Sequence, residues 1–276
     1  MCARAPGQRL LDSLRPWTIG GQVNRHRLYE VAVQSPEADV AFFERVWSEP
    51  RPALTLREDF AGTALIAAAW VESDDDREAV AVEHDAELVR EAQARRAAMD
   101  EEESERVTIV RGDVRALSDR CFDLIVAMNF SWAIFDDAAL AAYLASARAC
   151  LEDDGLLVLE RFGGPALAAP CRDEHPHDGF TYVWEQRGAR DGWLDARIHF
   201  ELDDGAALMD AFRYRFRLRS LDEERALLRA AGFRELQYFV EDRRGRYAVR
   251  QREPSWPRHR GAWVGRPGGA SRVETG

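Results

Sequence analysis

Short apolar runs and helical segments alternate strictly between about Pro52 and Phe162, and this alternation constrains the fold more than any other feature of the sequence. The apolar runs are ALTL, AVAVE, VTIVRGD, FDLIVAMNF and GLLVLERF. The main segments between them, GTALIAAAWVES, DAELVREAQARRAAM and DDAALAAYLASARACL, have the length and composition of helices. Strands and helices in this alternation form parallel βαβ units, so we predict a doubly wound, mostly parallel α/β sheet.

The pattern changes after Gly164, where strand-like runs follow one another without helices between them. These runs are TYVWEQRG, WLDARIHFEL and AFRYRFRLR, and the DDG sequence at 203–205 is typical of a hairpin turn. We therefore predict an antiparallel β region at about 165–219, inserted after the fifth strand. A helix follows, with Ser220 and Glu223 at the spacing of a capping box. RELQYFVE and RYAVRQRE are two further strand candidates.

These patterns predict three parts of the chain. Residues 1–50 form an N-terminal lid or helical segment, in which Ser35 and Pro36 have the residue types of an N-cap and a first helical position. Residues 51–253 form the α/β domain with its insertion. Residues 254–276 are turn-rich and predict a flexible C-terminal tail.

Composition excludes several classes of protein. The net charge of −11 argues against a general affinity for nucleic acid. The four cysteines have neither CxxC spacing nor paired histidines, so we predict no metal site and no disulfide framework. Without a long apolar run or a secretory signal, the chain is expected to be soluble and cytoplasmic, with no membrane partner. The basic segment 243–260 is interpreted as a solvated tail or, alternatively, as a docking surface for an acidic substrate.

Ligands of open α/β sheets bind outside the carboxyl ends of the strands, and acidic residues recur at those positions here. Glu58 and Asp59 follow the first strand, together with Phe60 and Gly62. Glu83 ends the second strand, just over twenty residues beyond Gly62, a position from which a carboxylate binds the hydroxyl groups of a ribose.

The next strand ends supply further candidates for the same crevice. His84 follows Glu83, and Asp113 and Val114 follow the third strand, where Asp113 could accept a hydrogen bond from an adenine amine. Asn129 and Phe130 end the fourth strand. Each acid also has a purely structural interpretation: Glu58 and Asp59 could cap the next helix, and Asp113 could cap its own loop.

Taken in order, these residues resemble a class I S-adenosylmethionine-dependent methyltransferase. The family's first motif, an acid followed by alternating glycines, lies over EDFAGTA, with Phe60 and Ala64 in place of the outer glycines. The resemblance continues through Glu83, Asp113 and the FDLIVAMN strand, and covers roughly Pro52 to Val240. It implies a seven-stranded Rossmann-like sheet, S-adenosyl-L-methionine as cofactor and methyl transfer as the reaction.

The charge of this cofactor accounts for the acids in the first loop. A dinucleotide brings a pyrophosphate, which prefers bare amides at a helix N-terminus, whereas S-adenosylmethionine brings a sulfonium cation and an ammonium group. We therefore expect Glu58 to bind the amino-acid end of the cofactor, with Asp59 either assisting or holding Arg57 in place.

Residues for the methyl acceptor are expected outside the common sheet. His26 and Tyr29 in the N-terminal segment are predicted to position the acceptor or the methyl group. Trp184, His199 and Arg213 in the inserted region are predicted to contact the acceptor. Such aromatic strands also serve as core or as a dimer face, so a homodimer is possible. The architecture is similar to small-molecule methyltransferases of the glycine N-methyltransferase kind, which favours a small-molecule acceptor.

Several alternatives remain open from the sequence. HPH at 175–177 could hold a metal or a base, or could be a polar loop. A nicotinamide-dependent oxidoreductase would share the sheet but should show a G-x-G-x-x-G turn. A non-catalytic S-adenosylmethionine-binding protein would keep the same acids without turnover. An RNA or protein methyltransferase would dock through the arginine-rich segment.

Overall fold

The computed structural model describes residues 17–19, 22–116, 119–242 and 244–267. Its helices are α1 Arg25–Val33, α2 Pro36–Val46, α3 Leu65–Glu72, α4 Ala86–Arg96, α5 Glu101–Glu105, α6 Asp137–Ala149 and α7 Leu221–Ala230. Its strands are β1 Thr18–Ile19, β2 Gln22–Val23, β3 Thr55–Asp59, β4 Glu78–Glu83, β5 Val107–Arg111, β6 Phe122–Ala127, β7 Leu151–Gly163, β8 Cys171–His177, β9 Phe180–Arg190, β10 Trp193–Leu202, β11 Ala207–Arg217, β12 Phe233–Glu241, β13 Tyr247–Arg250 and β14 His259–Pro267. Predictions for residues 1–16, Arg243 and 268–276 lie outside the described residues.

The chain divides into two compact units. The antiparallel unit comprises the described residues of Met1–Ser35 and Ala168–Phe216, and the sheet unit comprises those of Pro36–Leu167 and Arg217–Gly276. The predicted N-terminal segment, 1–50, is therefore divided between the two units at Pro36, where α2 begins.

The sheet unit is built on a doubly wound sheet with the strand order β13-β12-β14-β7-β6-β3-β4-β5. Strands β3 to β7 pair in parallel, and β14 runs antiparallel to both β7 and β12. This confirms the predicted α/β class; the sheet has eight strands because β14, which lies in the segment predicted to be a tail, adds to the seven predicted. The chain order reverses between β3 and β6, which is the switch point at which ligands of such sheets bind.

Helices cover both faces of this sheet, and alternate residues of each strand contribute to different cores. On the face called here the α3 face, Leu56 and Val158 pack with residues of α2 and α3. On the opposite, α6 face, Ile125 and Leu157 pack with residues of α6 and α7. Because side chains alternate along a strand, neighbouring residues at a strand end belong to different faces.

The C-terminal region differs from the prediction of a flexible tail beginning at residue 254. Residues 259–267 form β14, a central strand between β7 and β12 with Ala262, Trp263 and Val264 buried. Two glycines flank its short apolar run, so the sequence did not predict a strand here. A Cβ on Gly261 would lie 2.7 Å from the Phe239 carbonyl oxygen, so the close packing of β14 requires glycine there.

Local sequence signals explain several helix boundaries. Helix α7 begins with the predicted capping box: the Ser220 hydroxyl accepts from the Glu223 N–H, while the Glu223 carboxylate accepts from the Ser220 N–H. Gly232 follows the end of this helix with φ at +97°. Helix α2 begins at Pro36, as predicted.

The antiparallel unit contains a sheet of order β11-β10-β9-β8, the short β1–β2 pair and helix α1. The predicted turn at 203–205 joins β10 to β11, and Gly205 has φ at +87°. The HPH sequence at 175–177 does not form a loop: it ends strand β8, with His175 opposite Tyr182 and His177 opposite Phe180 on β9.

Candidate functional site

Glu58, near the end of β3, lies on the α3 face and is buried. Its Oε2 accepts a hydrogen bond of 2.8 Å from the Ala67 N–H, one of the amides in the first turn of α3. Burial raises the pKa of Glu58 to about 8, although the Ala67 hydrogen bond opposes this shift. The carboxylate therefore occupies a helix N-terminus and is poised to gain or lose a proton near neutral pH.

Asp59 is the next residue but points to the α6 face. Its carboxylate forms an ion pair of 2.7 Å with Arg57 and accepts a 3.0 Å hydrogen bond from the Tyr143 hydroxyl of α6. The Arg57 guanidinium also donates a hydrogen bond of 2.6 Å to the Val114 carbonyl oxygen. Burial raises the pKa of Asp59 to about 6 against the opposing effect of Arg57. Of the two roles considered for Asp59 from the sequence, assisting Glu58 or holding Arg57 in place, its contacts correspond to the second.

The loop that follows has three residues in the left-handed backbone region. Phe60, Gly62 and Ala64 each have φ at +57°. Phe60 and Ala64 therefore keep the backbone conformation that favours glycine although they carry side chains, at a cost of about 1–2 kcal/mol each. The Phe60 ring lies 5.5 Å from Phe135 and 5.6 Å from Tyr143, so its packing on the α6 face offsets this cost.

Gly62 borders open space. A Cβ added at this glycine would have no heavy atom within 4 Å. Its N–H donates to Oε2 of Glu83 at 2.9 Å, which ties the loop to the end of β4. Glycine at this position thus leaves the backbone accessible at the carboxyl edge of the sheet.

Glu83 is buried and is held by three backbone amides, and the His84 Nδ1 lies 3.1 Å from its Oε1. Besides Gly62, the N–H groups of His84 and Asp85 donate to its Oε1 at 2.8 and 2.9 Å. Asp85 in turn caps α4 by accepting from two amides of the first turn. The carboxylate is consequently fixed in orientation, while the adjacent His84 side chain is 78% exposed.

Asp113 and Val114 follow β5, as the sequence order requires. Asp113 is exposed and forms an ion pair of 2.5 Å with Arg115. This hydrogen-bonded arginine lowers the pKa of Asp113 to about 2. Val114 is buried, and its carbonyl oxygen is the acceptor for Arg57.

Asn129 and Phe130 follow β6 in the left-handed backbone region, with φ at +54° and +46°. The Asn129 N–H donates to Oε2 of Glu160, a buried residue of β7. The Phe130 ring stacks on Phe162 with the ring centroids 5.3 Å apart. Two successive residues with positive φ form a tight corner beside the switch point.

The sequence prediction missed three charged residues of this edge: Asp39, Glu160 and Arg260. The Arg260 guanidinium forms an ion pair with the Glu160 carboxylate and lies 3.7 Å from Glu241. Asp39 is a buried acid on α2. A signal was present for two of them, because Glu160 interrupts the apolar run LLVLERF and Asp39 lies in the apolar stripe of α2.

The residues predicted for the methyl acceptor lie in the antiparallel unit in two separate groups. His26 and Tyr29 of α1 both pack on Phe212, at ring distances of 5.5 and 5.3 Å. Trp184 stacks on Phe216, 6.4 Å away, in the same aromatic row.

The second group lies on the other face of the β10–β11 pair. His199 alternates with Phe200 along β10, and its Nδ1 accepts a 2.8 Å hydrogen bond from the Asp210 N–H. Arg213 is exposed and pairs with the Asp210 carboxylate at 2.6 Å. The structure therefore does not bring His199 and Arg213 together with His26 and Tyr29.

Within the described residues, no group of three or more histidine, cysteine or acidic side chains is arranged to hold a metal ion. His177 stacks on Phe180 at 4.9 Å, and its burial lowers its pKa. No helix in the described part of the chain has the length and apolarity to cross a membrane.

Comparison with known proteins gives one family match. Residues 60–155 match the family model described as a methyltransferase domain. This segment is less than half of the chain and runs from the loop after β3 into β7. A search of curated proteins finds no match to the sequence.

Solved structures share the fold over most of the chain. An S-adenosylmethionine-dependent methyltransferase from Clostridium acetobutylicum is 16% identical, with 88% of this chain and 98% of that chain covered and a TM-score of 0.67. CalS10, an amino pentose methyltransferase from Micromonospora echinaspora, is 19% identical, with 87% and 94% covered and a TM-score of 0.64. The sugar N-methyltransferase KedS8 from Streptoalloteichus is 22% identical, with 91% and 97% covered and a TM-score of 0.62.

At these identities the likeness establishes the fold. The chain has the fold of the S-adenosylmethionine-dependent methyltransferases. Glu83, Asp113 and Asn129 lie within the segment that matches the methyltransferase domain, whereas Glu58 and Asp59 immediately precede it.

Proposed function

We propose that this chain transfers the methyl group of S-adenosyl-L-methionine to a small-molecule acceptor. The observation that carries the proposal is the Ala67 N–H, which already donates to the buried Glu58 carboxylate. In dinucleotide-binding proteins such helix N-terminal amides bind phosphate. Here the Glu58 oxygen already occupies the amide that a pyrophosphate would need, and a cationic ligand stabilises the ionised carboxylate whereas a pyrophosphate would be repelled by it. The first loop is therefore suited to S-adenosylmethionine and unsuited to NAD.

The strand ends supply a place for each part of this cofactor. Glu58 is assigned to the cationic amino-acid end, and Gly62 to a close approach of the backbone, since the space beside it is open. Glu83 is assigned to the ribose, because its carboxylate is fixed in orientation by three amides and keeps acceptor capacity for hydroxyl groups.

The remaining predicted cofactor residues are assigned by position. Asp113 and Val114 are proposed for the adenine, with His84 beside it. Asn129 and Phe130 form the corner next to the switch point and are proposed for the sulfonium side of the cofactor. Asp59 is held by Arg57 and Tyr143, so we assign it, with the Phe60 side chain, to supporting the loop from the α6 face.

When bound, the cofactor supplies an electrophilic methyl group, which an acceptor lone pair takes by in-line displacement while the carbon–sulfur bond breaks. The chain's contribution is to hold the two reactants in line and to exclude water. A base is needed only when the acceptor arrives protonated. His26 and Tyr29 remain our candidates for positioning the acceptor, and Trp184, in the same aromatic row, for contacting it. His199 and Arg213 lie on the other face of the β10–β11 pair and are not assigned to the same acceptor.

An amine-bearing small molecule is the first acceptor class to test. CalS10 is an amino pentose methyltransferase and KedS8 a sugar N-methyltransferase, and both share the fold of this chain. Docking of RNA or protein through the basic segment is less well supported, because Arg260 is engaged with Glu160 and Arg246 with Asp242. A cytoplasmic location and a homodimer stay predictions.

The test is transfer of a labelled methyl group from S-adenosylmethionine to amino sugars and then to fractions of a metabolite extract. We expect a labelled small-molecule product with the wild type. Glu83→Ala should lose most of this activity at limiting cofactor, whereas Glu101→Ala, an exposed acid of α5, should not. Cofactor binding without any labelled product would favour the non-catalytic binding protein, and label in RNA or protein alone would refute a small-molecule acceptor.

A further inference from the structure

Asp39 is a buried acid that faces the carboxyl edge of the sheet unit. It lies one helical turn before Phe42, whose ring contacts Phe239 at 5.5 Å and Tyr247 at 4.3 Å. Residues three apart on a helix share a face, so Asp39 points toward the sheet together with Phe42. Only 8% of Asp39 is exposed to solvent, whereas Glu37 in the same turn is exposed.

The charges around Asp39 come from several strands. Glu160 of β7 and Glu241 of β12 act on its carboxylate with negative charge, and Arg260 of β14 with positive charge. Glu37 of α2 adds the smallest of these effects. Glu58 of β3 is also coupled to it, because Asp39 is one of the charges that raise the pKa of Glu58. Burial and these neighbouring acids raise the pKa of Asp39 itself to about 7.

The bases that act on these acids are already engaged. Arg95, which acts on Glu58, donates to the Thr63 carbonyl oxygen, and Arg260 acts on Asp39. The Arg260 guanidinium forms an ion pair with Glu160, and Glu160 also accepts the Asn129 N–H. Among the described residues, no hydrogen bond or ion pair reaches the Asp39 carboxylate. Glu58 uses Oε2 for Ala67, and its Oε1 has no hydrogen bond within the described chain.

We propose that Asp39 and Glu58 together bind the ammonium group of the methionine part of S-adenosylmethionine. The inference rests on the proposed function and assigns to α2 a residue of the cofactor site. An enclosed carboxylate without a partner requires a hydrogen-bond donor, and an ammonium group supplies three donors as well as a positive charge. The sulfonium supplies charge without a donor, so it cannot satisfy these oxygens.

Three ligands that carry different charged groups show which part of the cofactor Asp39 recognises. S-adenosylmethionine carries the sulfonium and the ammonium, S-adenosylhomocysteine carries the ammonium alone, and 5′-methylthioadenosine carries neither. Their dissociation constants are measured by calorimetry for the wild type, for Asp39→Asn and for the matched control Glu37→Gln, which alters an exposed acid of the same turn.

For Asp39→Asn we expect both S-adenosylmethionine and S-adenosylhomocysteine to bind more weakly by similar factors, on the order of 10-fold to 100-fold for a charged hydrogen bond. Methylthioadenosine should bind as it does to the wild type, and Glu37→Gln should leave all three constants unchanged. The melting temperature of ligand-free Asp39→Asn should not fall, because the substitution removes an unpaired buried acid.

Other outcomes would overturn the assignment. If all three ligands bound more weakly by the same factor, Asp39 would shape the site without contacting the ammonium group. Weakening of S-adenosylmethionine alone would transfer the role to the sulfonium, and unchanged constants would remove Asp39 from the site. If the wild type binds none of the three ligands, the proposed function itself fails, a result distinct from a failure confined to Asp39.

Discussion

At the carboxyl edge of the sheet, the buried acids on the two faces differ in their partners. On the α6 face, Asp59 is paired with Arg57 and hydrogen-bonded to Tyr143. On the α3 face, Glu58 and Asp39 are as deeply buried but have no basic partner in hydrogen-bond contact within the described chain. Buried charges are normally paired, so an unpaired group marks a place for an external partner. We therefore assign a structural role to the acid on the α6 face and ligand binding to the acids on the α3 face.

The largest expected effect comes from breaking the pair on the α6 face. Asp59→Asn should lower the free energy of unfolding by about 3–5 kcal/mol, because the Arg57 charge stays buried without compensation. Denaturant unfolding measures this change. The matched substitution on the α3 face, Glu58→Gln, should leave the ligand-free protein at least as stable as the wild type. Equal destabilisation by both substitutions would contradict the assigned difference between the faces.

Glu83→Ala sharpens the comparison, since Glu83 is an acid held mainly by backbone amides and not by an arginine. The cofactor should bind more weakly by about 1–3 kcal/mol, the range for loss of a charged hydrogen-bond acceptor. The three amides that lose their acceptor should also reduce the stability of the variant. Calorimetry on samples shown to be folded separates the two effects, and an unchanged dissociation constant would reject the ribose role.

The unpaired acids predict a pH dependence of binding. In the ligand-free protein the pKa of Asp39 is about 7 and that of Glu58 about 8, so both carboxyls are partly protonated near neutral pH. A cationic ligand favours the ionised forms, so binding releases protons and the affinity rises with pH until the ligand's own ammonium group, with a pKa of about 8, begins to lose its proton. The rise should reach up to about tenfold per pH unit for each proton released.

Affinity for S-adenosylmethionine is therefore measured across this pH range, with methylthioadenosine as the reference ligand. The rise should be shallower for Glu58→Gln and absent for methylthioadenosine. A fall in affinity as the pH rises toward about 7.5 would contradict the account, because below the pKa of the ligand's ammonium group it would require that a protein group gain a proton on binding.

The smallest effect is expected in the loop itself. Ala64→Gly removes the energetic cost of an alanine in the left-handed backbone region. It also removes a buried methyl group and gives the unfolded chain more conformational freedom, so the free energy of unfolding should change by less than about 1 kcal/mol. Cofactor affinity should not change. Gly62→Ala, by contrast, would place a methyl group in the open space beside the loop and should weaken the cofactor more than its effect on stability explains.

The sequence predicted the sheet well because alternation and chain order are local signals. Strands β3 to β7, the helix at Ser220 and the hairpin at 203–205 all follow from such patterns. Strand β14 was missed because glycines, arginines and prolines interrupt its apolar residues, while its partners β7 and β12 are distant in the sequence. Pairing between distant strands leaves no local pattern.

The site was predicted in part for the same physical reason. Glu58 and Asp59 are adjacent in the sequence and seemed equivalent there, yet the alternation of β3 places them on opposite faces. Asp39 lies on a separate helix, and Arg260 lies in a segment interpreted as a tail; only the folded chain shows that both face Glu160. Which acids are paired depends on packing that no local motif records.

The most direct test of the central claim is a calorimetric titration of the wild-type protein with S-adenosylmethionine and with NAD. The account predicts that S-adenosylmethionine binds and that NAD does not, because the Glu58 carboxylate holds the helix N-terminus that a pyrophosphate would need. Tighter binding of NAD than of S-adenosylmethionine would contradict it.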